Sequence, residues 1–163
     1  MIKVVQNPLT ESYQKLKKLI LGNDFPWYWY SNSTYNGYYH HCFLRRPDPN
    51  LRFTSAQSQY INEAYTVVEE ILNFNSITHD VLYRMSANIN HSTESGSPDR
   101  AHYDHEFPHH NLLMYLSDTN GGYTMVENEK YDGKEDDVII FQGLHYNAPP
   151  SKGRRTVLIT TFM

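Results

Sequence analysis

The chain has 163 residues and a formal charge of −4, from 14 Lys and Arg against 18 Asp and Glu; this length fits one domain, and the charge disfavours a broad nucleic-acid-binding surface. The sequence contains no run of about 18 apolar residues that could span a membrane, and no apolar stretch typical of a secretory signal follows Met1, so we expect a cytoplasmic protein. Cys42 is the only cysteine, which excludes an internal disulfide and a multi-cysteine zinc module.

Two helices are predicted in the first half of the chain. Asn7 is expected to cap the first helix, with Pro8 at its first helical position and Gly22 at its end. A second helix is predicted to begin at Thr54, because Gln57 lies three residues later, at the spacing of a capping box. Both segments carry apolar residues at helical spacing.

The remaining segments favour strands and loops. The aromatic stretch between the predicted helices indicates a loop and one strand, over Tyr38–Leu44. From Asp80 onward, short β-rich runs alternate with turn residues. The predicted strands are Val81–Ile89, Ala101–His105, Leu112–Leu116, Tyr123–Val126, Val138–Phe141 and Thr156–Phe162. Many short strands after two helices predict a β-sandwich or barrel with helical support.

The segment His102-Tyr103-Asp104 is a candidate metal-binding motif. Residues i and i+2 of a strand face the same way, so His102 and Asp104 would project together. His145 could supply a third ligand from another strand. Two His and one carboxylate form the facial triad of non-haem Fe(II) oxygenases, which leaves coordination positions open. Because the chain has nine His, a surface pair or a hydrogen-bonded pair remains an alternative.

Arg155 is a candidate anion-binding residue. It follows a Pro-Pro-Ser-Lys-Gly turn, and a hairpin there would bring it beside the strand that carries His145. A guanidinium binds a carboxylate through two hydrogen bonds and remains charged when buried. Since adjacent strand residues alternate faces, only one of Arg154 and Arg155 is expected to point inward. The alternative is that both are exposed turn charges.

These features together resemble the Fe(II)/2-oxoglutarate-dependent dioxygenases, whose pattern is H-x-D, a distant His, and an Arg or Lys some ten residues later. Segments similar to prolyl-4-hydroxylase-like members are Leu112-Leu113-Met114-Tyr115-Leu116-Ser117-Asp118 and Gly121-Gly122-Tyr123-Thr124. Segments that look like those of small phage and cyanobacterial members are Phe25-Pro26-Trp27-Tyr28, Arg84-Met85-Ser86-Ala87-Asn88 and Arg155-Thr156-Val157-Leu158. The resemblance covers residues 24–46 and 80–163.

The resemblance implies a mainly β protein with a double-stranded β-helix (jelly-roll, cupin-like) core buttressed by N-terminal helices. We expect one oxygenase domain over residues 1–163. Residues 1–79 would form a helical and aromatic support region, and residues 80–163 the jelly-roll core with the metal site. If the chain is phage-encoded, its location would be the host cytoplasm.

The resemblance also assigns residues. It implies that His102, Asp104 and His145 bind Fe(II) and form the catalytic centre. Arg155 would bind the distal carboxylate of 2-oxoglutarate.

Two further positions are assigned to the same carboxylate. Asn111 stands where related enzymes often have a Thr facing it. Tyr83 lies near the sequence position at which related enzymes have a Tyr that hydrogen-bonds this carboxylate, although Arg84 competes for that position.

Three residues are candidates for substrate contact. Arg84 and Asn88 share a face of a regular strand, where they could meet a substrate or pair with an internal acid. Trp27 belongs to an aromatic segment that could line a substrate groove or could simply supply core.

The implied activity is hydroxylation of a C–H bond with 2-oxoglutarate and O₂, releasing succinate and CO₂, with ascorbate as a candidate reductant. Asp104 favours hydroxylation, since halogenating relatives lack this carboxylate. Peptidyl proline is the leading substrate; a free amino acid, another peptide side chain or a nucleobase are open alternatives. A different class remains: a non-catalytic metal-binding jelly-roll module that binds a peptide or sugar. A cupin-like zinc enzyme is a third hypothesis.

Overall fold

The structure is a computed structural model that describes residues 1–31, 37–47 and 54–163. Its two helices are α1 (Glu11–Leu21) and α2 (Ile61–Phe74). The strands before α2 are β1 (Lys3–Val5), β2 (Tyr28–Tyr30), β3 (Tyr38–Arg45) and β4 (Ser55–Ala56). Those after it are β5 (Leu82–His91), β6 (His110–Tyr115), β7 (Tyr123–Val126), β8 (Glu129–Tyr131), β9 (Val138–Phe141), β10 (His145–Ala148) and β11 (Arg154–Phe162).

Two antiparallel sheets form the fold. The major sheet has the order β1-β9-β6-β11-β5-β3-β2, with β4 paired to β3, and the minor sheet has the order β10-β7-β8. The mainly β, jelly-roll architecture with two helices is therefore confirmed. The strands β1 to β4 all lie within residues 1–79, so this part of the chain supplies sheet strands as well as helices.

The major sheet buries both of its faces, because alternate residues of a strand point to opposite sides. On one face, Met85, Met114 and Leu158 pack in the core that also contains side chains of α1 and α2. On the other face, Leu113 and Ile159 belong to a second core that includes Val126 of the minor sheet. The face toward the minor sheet is also the face that carries the polar residues described below.

Both helices begin later than the sequence predicts. Thr10, not Asn7, caps α1, and its Oγ1 accepts a hydrogen bond from the Tyr13 N–H at 3.1 Å. Leu9 has φ +49°, a left-handed conformation that keeps Pro8 outside the helix.

The predicted start of the second helix is wrong for a different reason. Ser55–Ala56 forms β4 against β3, and the Gln57 N–H donates to the Phe43 carbonyl at 2.9 Å. This pairing holds the candidate capping residues in an extended conformation, so α2 begins only at Ile61.

The predicted strand Ala101–His105 is also absent. Only His102 pairs, through reciprocal backbone hydrogen bonds of 2.9 and 3.0 Å with His145. Among the described residues, no helix is long and apolar enough to cross a bilayer.

Candidate metal centre and anion pocket

The structure brings His102, Asp104 and His145 together. Each offers one ligand atom, and these atoms lie within 4.8 Å of one another. His145 and Asp104 are buried, whereas His102 lies at the open side of the group. The backbone pairing of His102 with His145 holds the two rings 4.6 Å apart between centroids. His102 and Asp104 therefore point to the same site, as a regular strand would place them, but here one backbone pair at His102 and a bend at Asp104 position them.

Both imidazoles are oriented for metal binding by backbone carbonyls. His102 Nδ1 lies 3.0 Å from the Arg100 carbonyl oxygen, and His145 Nδ1 lies 3.1 Å from that of Gly143. Since a carbonyl only accepts, each Nδ1 carries the proton and each Nε2 keeps its lone pair. Burial lowers the pKa of His102, which favours the neutral ring that a metal requires. This use of the second ring nitrogen is typical of metal-binding His.

Asp104 is held by two arginines on one of its oxygens. Arg84 Nη1 contacts Oδ1 directly, and Arg46 Nη2 lies 3.4 Å from the same atom while its Nη1 donates to the Asp104 carbonyl. Burial alone would raise the pKa of Asp104, but the charge of Arg84 lowers it well below its usual range. Asp104 Oδ2 is buried without a hydrogen-bond partner and lies 3.5 Å from His145 Nε2. The carboxylate thus presents one free oxygen to the group.

Arg155 is fully buried and incompletely paired. It has no exposed surface, whereas Arg154 is exposed, so the alternation predicted for this pair is found. Its Nη2 donates to Thr124 Oγ1 at 2.8 Å, while Nε and Nη1 have no partner. A buried guanidinium with free donors is costly unless an anion joins it. The arrangement therefore fits a ligand carboxylate.

The route by which Arg155 reaches the interior differs from the predicted hairpin. The strand with His145, β10, pairs with β7 in the minor sheet, whereas β11 pairs with β5 and β6 in the major sheet. Pro149 and Pro150 follow β10 and lack the N–H groups that a continued ladder requires. The intervening turn carries the chain from one sheet to the other.

Sequence reasoning missed the side chains that surround Arg155. The guanidinium lies 5.2 Å from the Tyr115 ring centre, and the Tyr115 hydroxyl is 2.8 Å from Thr124 Oγ1. Thr124 in turn donates to Asn147 Oδ1 at 3.0 Å. Tyr115 is the inward-facing residue of β6 closest to this end, and Thr124 is the last residue of the GG-x-T turn. Tyr115 and Thr124 both lie in the segments that resemble prolyl-4-hydroxylase-like enzymes, and this resemblance could have indicated them.

A cavity of 220 Å³ adjoins the metal-ligand group. Its walls include all three candidate ligands, together with Arg46, Arg84, Asn88, Asn90, Asp99 and Asn147. Asn147 bonds the Thr124 that holds Arg155, and Asn90 pairs with Arg155 across β5 and β11. The candidate metal ligands therefore line the cavity directly, whereas Arg155 lies behind the part of its wall formed by Asn90 and Asn147. Burial raises the pKa of Asp99 to about 6, against an opposing effect of the Arg155 charge.

Two residues assigned to the distal carboxylate lie away from Arg155. Asn111 pairs with Thr161, six residues along β11 from Arg155, which corresponds to roughly 20 Å of strand. Its amide is fully buried, and neither polar atom has a partner. The Tyr83 ring packs on His105 and Phe107, near the far end of β5. Both residues lie on strands next to β11, but the register places them toward the opposite end of those strands from Arg155.

The three predicted substrate residues divide between the cavity and the core. Arg84 and Asn88 both line the cavity, as their shared strand face predicts. Asn88 Oδ1 lies 2.8 Å from His40 Nδ1. Trp27 instead packs edge-on against Phe25 at 5.0 Å, beside the helix-side core.

Gly133→Ala is expected to destabilise the fold and to disturb the hydrogen bonds around Arg155. A Cβ at Gly133 would clash with the fully buried Tyr115 ring, so Tyr115 would shift away from Thr124 and Arg155. Overpacking of this kind costs about 1–3 kcal/mol. Thermal unfolding would measure this cost. The exposed neighbour Asp132→Ala is the control, and unchanged stability in Gly133→Ala would contradict the close packing of Tyr115 against residue 133.

No protein-family model matches the chain, and no curated protein matches it. Solved structures do. A 2OG-Fe(II) oxygenase family oxidoreductase from Burkholderia pseudomallei aligns over 99% of this chain and 84% of its own, at 10% identity and a TM-score of 0.68.

Two prolyl hydroxylases are also similar. The viral collagen prolyl hydroxylase from Paramecium bursaria Chlorella virus-1, solved with 2OG, aligns over 99% of this chain and 94% of its own, at 15% identity and a TM-score of 0.59. A Pseudomonas putida prolyl-4-hydroxylase aligns over 99% and 91%, at 13% identity and a TM-score of 0.60. The chain therefore has the fold of the 2OG-Fe(II) oxygenase structures, prolyl hydroxylases among them.

Proposed function

We propose that this protein is an Fe(II)- and 2-oxoglutarate-dependent dioxygenase that hydroxylates a C–H bond. The observation that carries this proposal is the combination of two features, one lining the cavity and the other directly behind its wall. One is a 2-His-1-carboxylate group with free Nε2 and Oδ2 atoms; the other is a buried guanidinium with two unpartnered nitrogens. A metal-binding module alone has no need of a buried carboxylate receptor.

In this proposal His102, Asp104 and His145 hold Fe(II) on one face and leave the other coordination positions open. Arg155, supported by Thr124 and Tyr115, binds the distal carboxylate of 2-oxoglutarate and so fixes the orientation of that molecule. Burial raises the pKa of Tyr115, which keeps its hydroxyl protonated as a donor.

The bound metal, 2-oxoglutarate and O₂ together would supply the oxidising power. One oxygen atom of O₂ enters the substrate as a hydroxyl group and the other enters succinate, with loss of CO₂. The protein contributes position and exclusion of bulk water. Ascorbate would serve only to restore Fe(II).

We further propose that the hydroxylated substrate is peptidyl proline. This choice is supported by the similarity of the Leu112–Asp118 segment to prolyl hydroxylases and by the prolyl hydroxylases among the similar structures. Arg84 and Asn88 would face the substrate from β5.

An anaerobic visible spectrum tests the class directly. Fe(II) is added to metal-free protein and 2-oxoglutarate follows. A weak metal-to-ligand charge-transfer band that requires both additions is expected, since the keto acid chelates the iron. Folded, iron-loaded protein with no band would refute the oxygenase proposal and favour a non-catalytic metal-binding module that binds a peptide or sugar.

A further inference from the structure

Around Asp104 the cavity wall holds two arginines against one acid, since the other acid of the wall, Asp99, lies near Arg155 instead. Arg84 and Arg46 both contact Asp104, and the salt bridges of the described residues pair these two arginines with that carboxylate only. Two guanidinium groups thus share one negative charge. A divalent metal and a 2-oxoglutarate dianion would cancel each other, so loading the site would leave this positive excess in place.

The excess charge continues into a neighbouring groove. The arginine groove, as we name it, is lined by Tyr30, Tyr38, His40, Arg45, Arg46 and Arg84, with Cys42, Leu44 and Gln57. It encloses 580 Å³, and none of the described residues that line it is acidic. Tyr38, Arg46 and Arg84 line both the groove and the metal-side cavity, so the two spaces adjoin. This basic surface stands out on a chain whose formal charge is −4.

Arg84 and Arg46 differ in how far their side chains are exposed, and this difference gives them different roles. The Arg84 side chain is 12% exposed and is committed to Asp104. The Arg46 side chain is 46% exposed, and its Nη2 is at the long distance of 3.4 Å from Asp104 Oδ1. Arg46 can therefore meet a second anion while its Nη1 stays on the Asp104 carbonyl.

The position of the groove favours an extended chain over a compact ligand. It runs along β3 to β2, the outermost strand of the major sheet. Tyr28, Trp29 and Tyr30 of β2 are exposed beside it. Aromatic side chains of this kind give contact area to a peptide backbone and side chains. A small carboxylate would need only the inner cavity.

We infer that the arginine groove binds an acidic peptide, with an Asp or Glu side chain near the target residue seated on Arg46. This inference rests on the proposed function, because only that function places the residue to be hydroxylated beside the groove. Charge complementarity across such a rim sets partner choice and association rate more than total affinity.

The test compares three capped hexapeptides of equal length, each with one central Pro flanked by Glu, Gln or Lys. Binding is measured calorimetrically on protein loaded with Zn(II) and 2-oxoglutarate. The Glu peptide is expected to bind about tenfold more tightly than the Gln peptide, and the difference should shrink at high salt. Arg46→Gln should abolish the preference, and Arg46→Glu should transfer it to the Lys peptide. The exposed Arg154→Gln is the matched control.

Equal binding of the three peptides would overturn the inference. So would an equal loss for all of them in Arg46→Gln, which would mean that Arg46 only positions Asp104. Tighter binding of free amino acids, or of a single-stranded oligonucleotide, would also overturn it. If the charge preference is found but no peptide stimulates succinate formation with Fe(II) and O₂, the groove assignment stands and the proposed function fails. If peptides are turned over at the same rate whatever their charge, the proposed function stands and the groove assignment fails.

Discussion

Arg155→Met is expected to weaken 2-oxoglutarate binding at least about 100-fold, which corresponds to about 3 kcal/mol, while leaving the ligand-free protein at least as stable as the parent. The guanidinium is fully buried, and two of its nitrogens lack partners. Replacing an incompletely paired buried charge by an apolar side chain of similar length removes a desolvation cost. The same change removes the charge that a ligand carboxylate needs, a loss of about 2–5 kcal/mol for a buried charged pair.

Isothermal titration of metal-loaded protein with 2-oxoglutarate, done without O₂, measures the affinity, and thermal unfolding without ligand measures the stability. Arg154→Met is the matched control, because this adjacent residue is exposed. Unchanged affinity in Arg155→Met would assign the carboxylate to another cation. A large loss of stability would instead show that Arg155 holds the fold together.

His102→Ala is expected to lower Fe(II) affinity by more than about 100-fold. Removing a group that merely orients a metal ligand costs roughly 10–100-fold, and His102 would be a ligand itself. Its ring lies at the open side of the site, so truncation should leave the β-core intact. The visible-band titration would then fail at the metal step, before 2-oxoglutarate is added.

Competition with a chromophoric chelator measures this affinity, and circular dichroism checks the fold. His91→Ala is the control, because His91 is an exposed residue at the end of β5. Iron retained at full stoichiometry by His102→Ala would remove His102 from the ligand set.

Local spacing explains which parts of the fold could be predicted. Alternating residues and turn residues predict β3, β5, β6, β7, β9 and β11 to within a few residues. This is possible because the two-residue repeat of a strand is visible in the order of apolar and polar residues. The helix starts could not be located in this way. Asn7 and Thr54 match capping patterns, but Asn7 Oδ1 accepts from the Leu9 N–H, and the segment after Thr54 pairs with β3. A cap competes with other hydrogen-bond partners that the sequence does not reveal.

Part of the site could also be predicted from sequence. The H-x-D spacing, the later His145 and the inward position of Arg155 depend on neighbours in the chain or on a recognisable pattern. The surroundings of Arg155 depend on strands far apart in sequence. Tyr115 is on β6, Thr124 on β7 and Asn147 on β10, and they meet because the two sheets face each other. The register of β6 against β11 places Asn111 beside Thr161, away from Arg155.

The strand-rich second half, the three candidate metal ligands and the buried position of Arg155 could be predicted without the structure. The strands and the inward side of Arg155 follow from local periodicity, whereas His145, far from Asp104 in the chain, follows from the family pattern. Only the tertiary structure decided that β10 and β11 belong to different sheets, and that Arg46 shares Asp104 with Arg84. The contact of Arg46 with Asp104 joins residues 58 positions apart. The formation of such contacts depends on which strands pair and which faces pack, a choice made by burial of the whole core rather than by any local pattern.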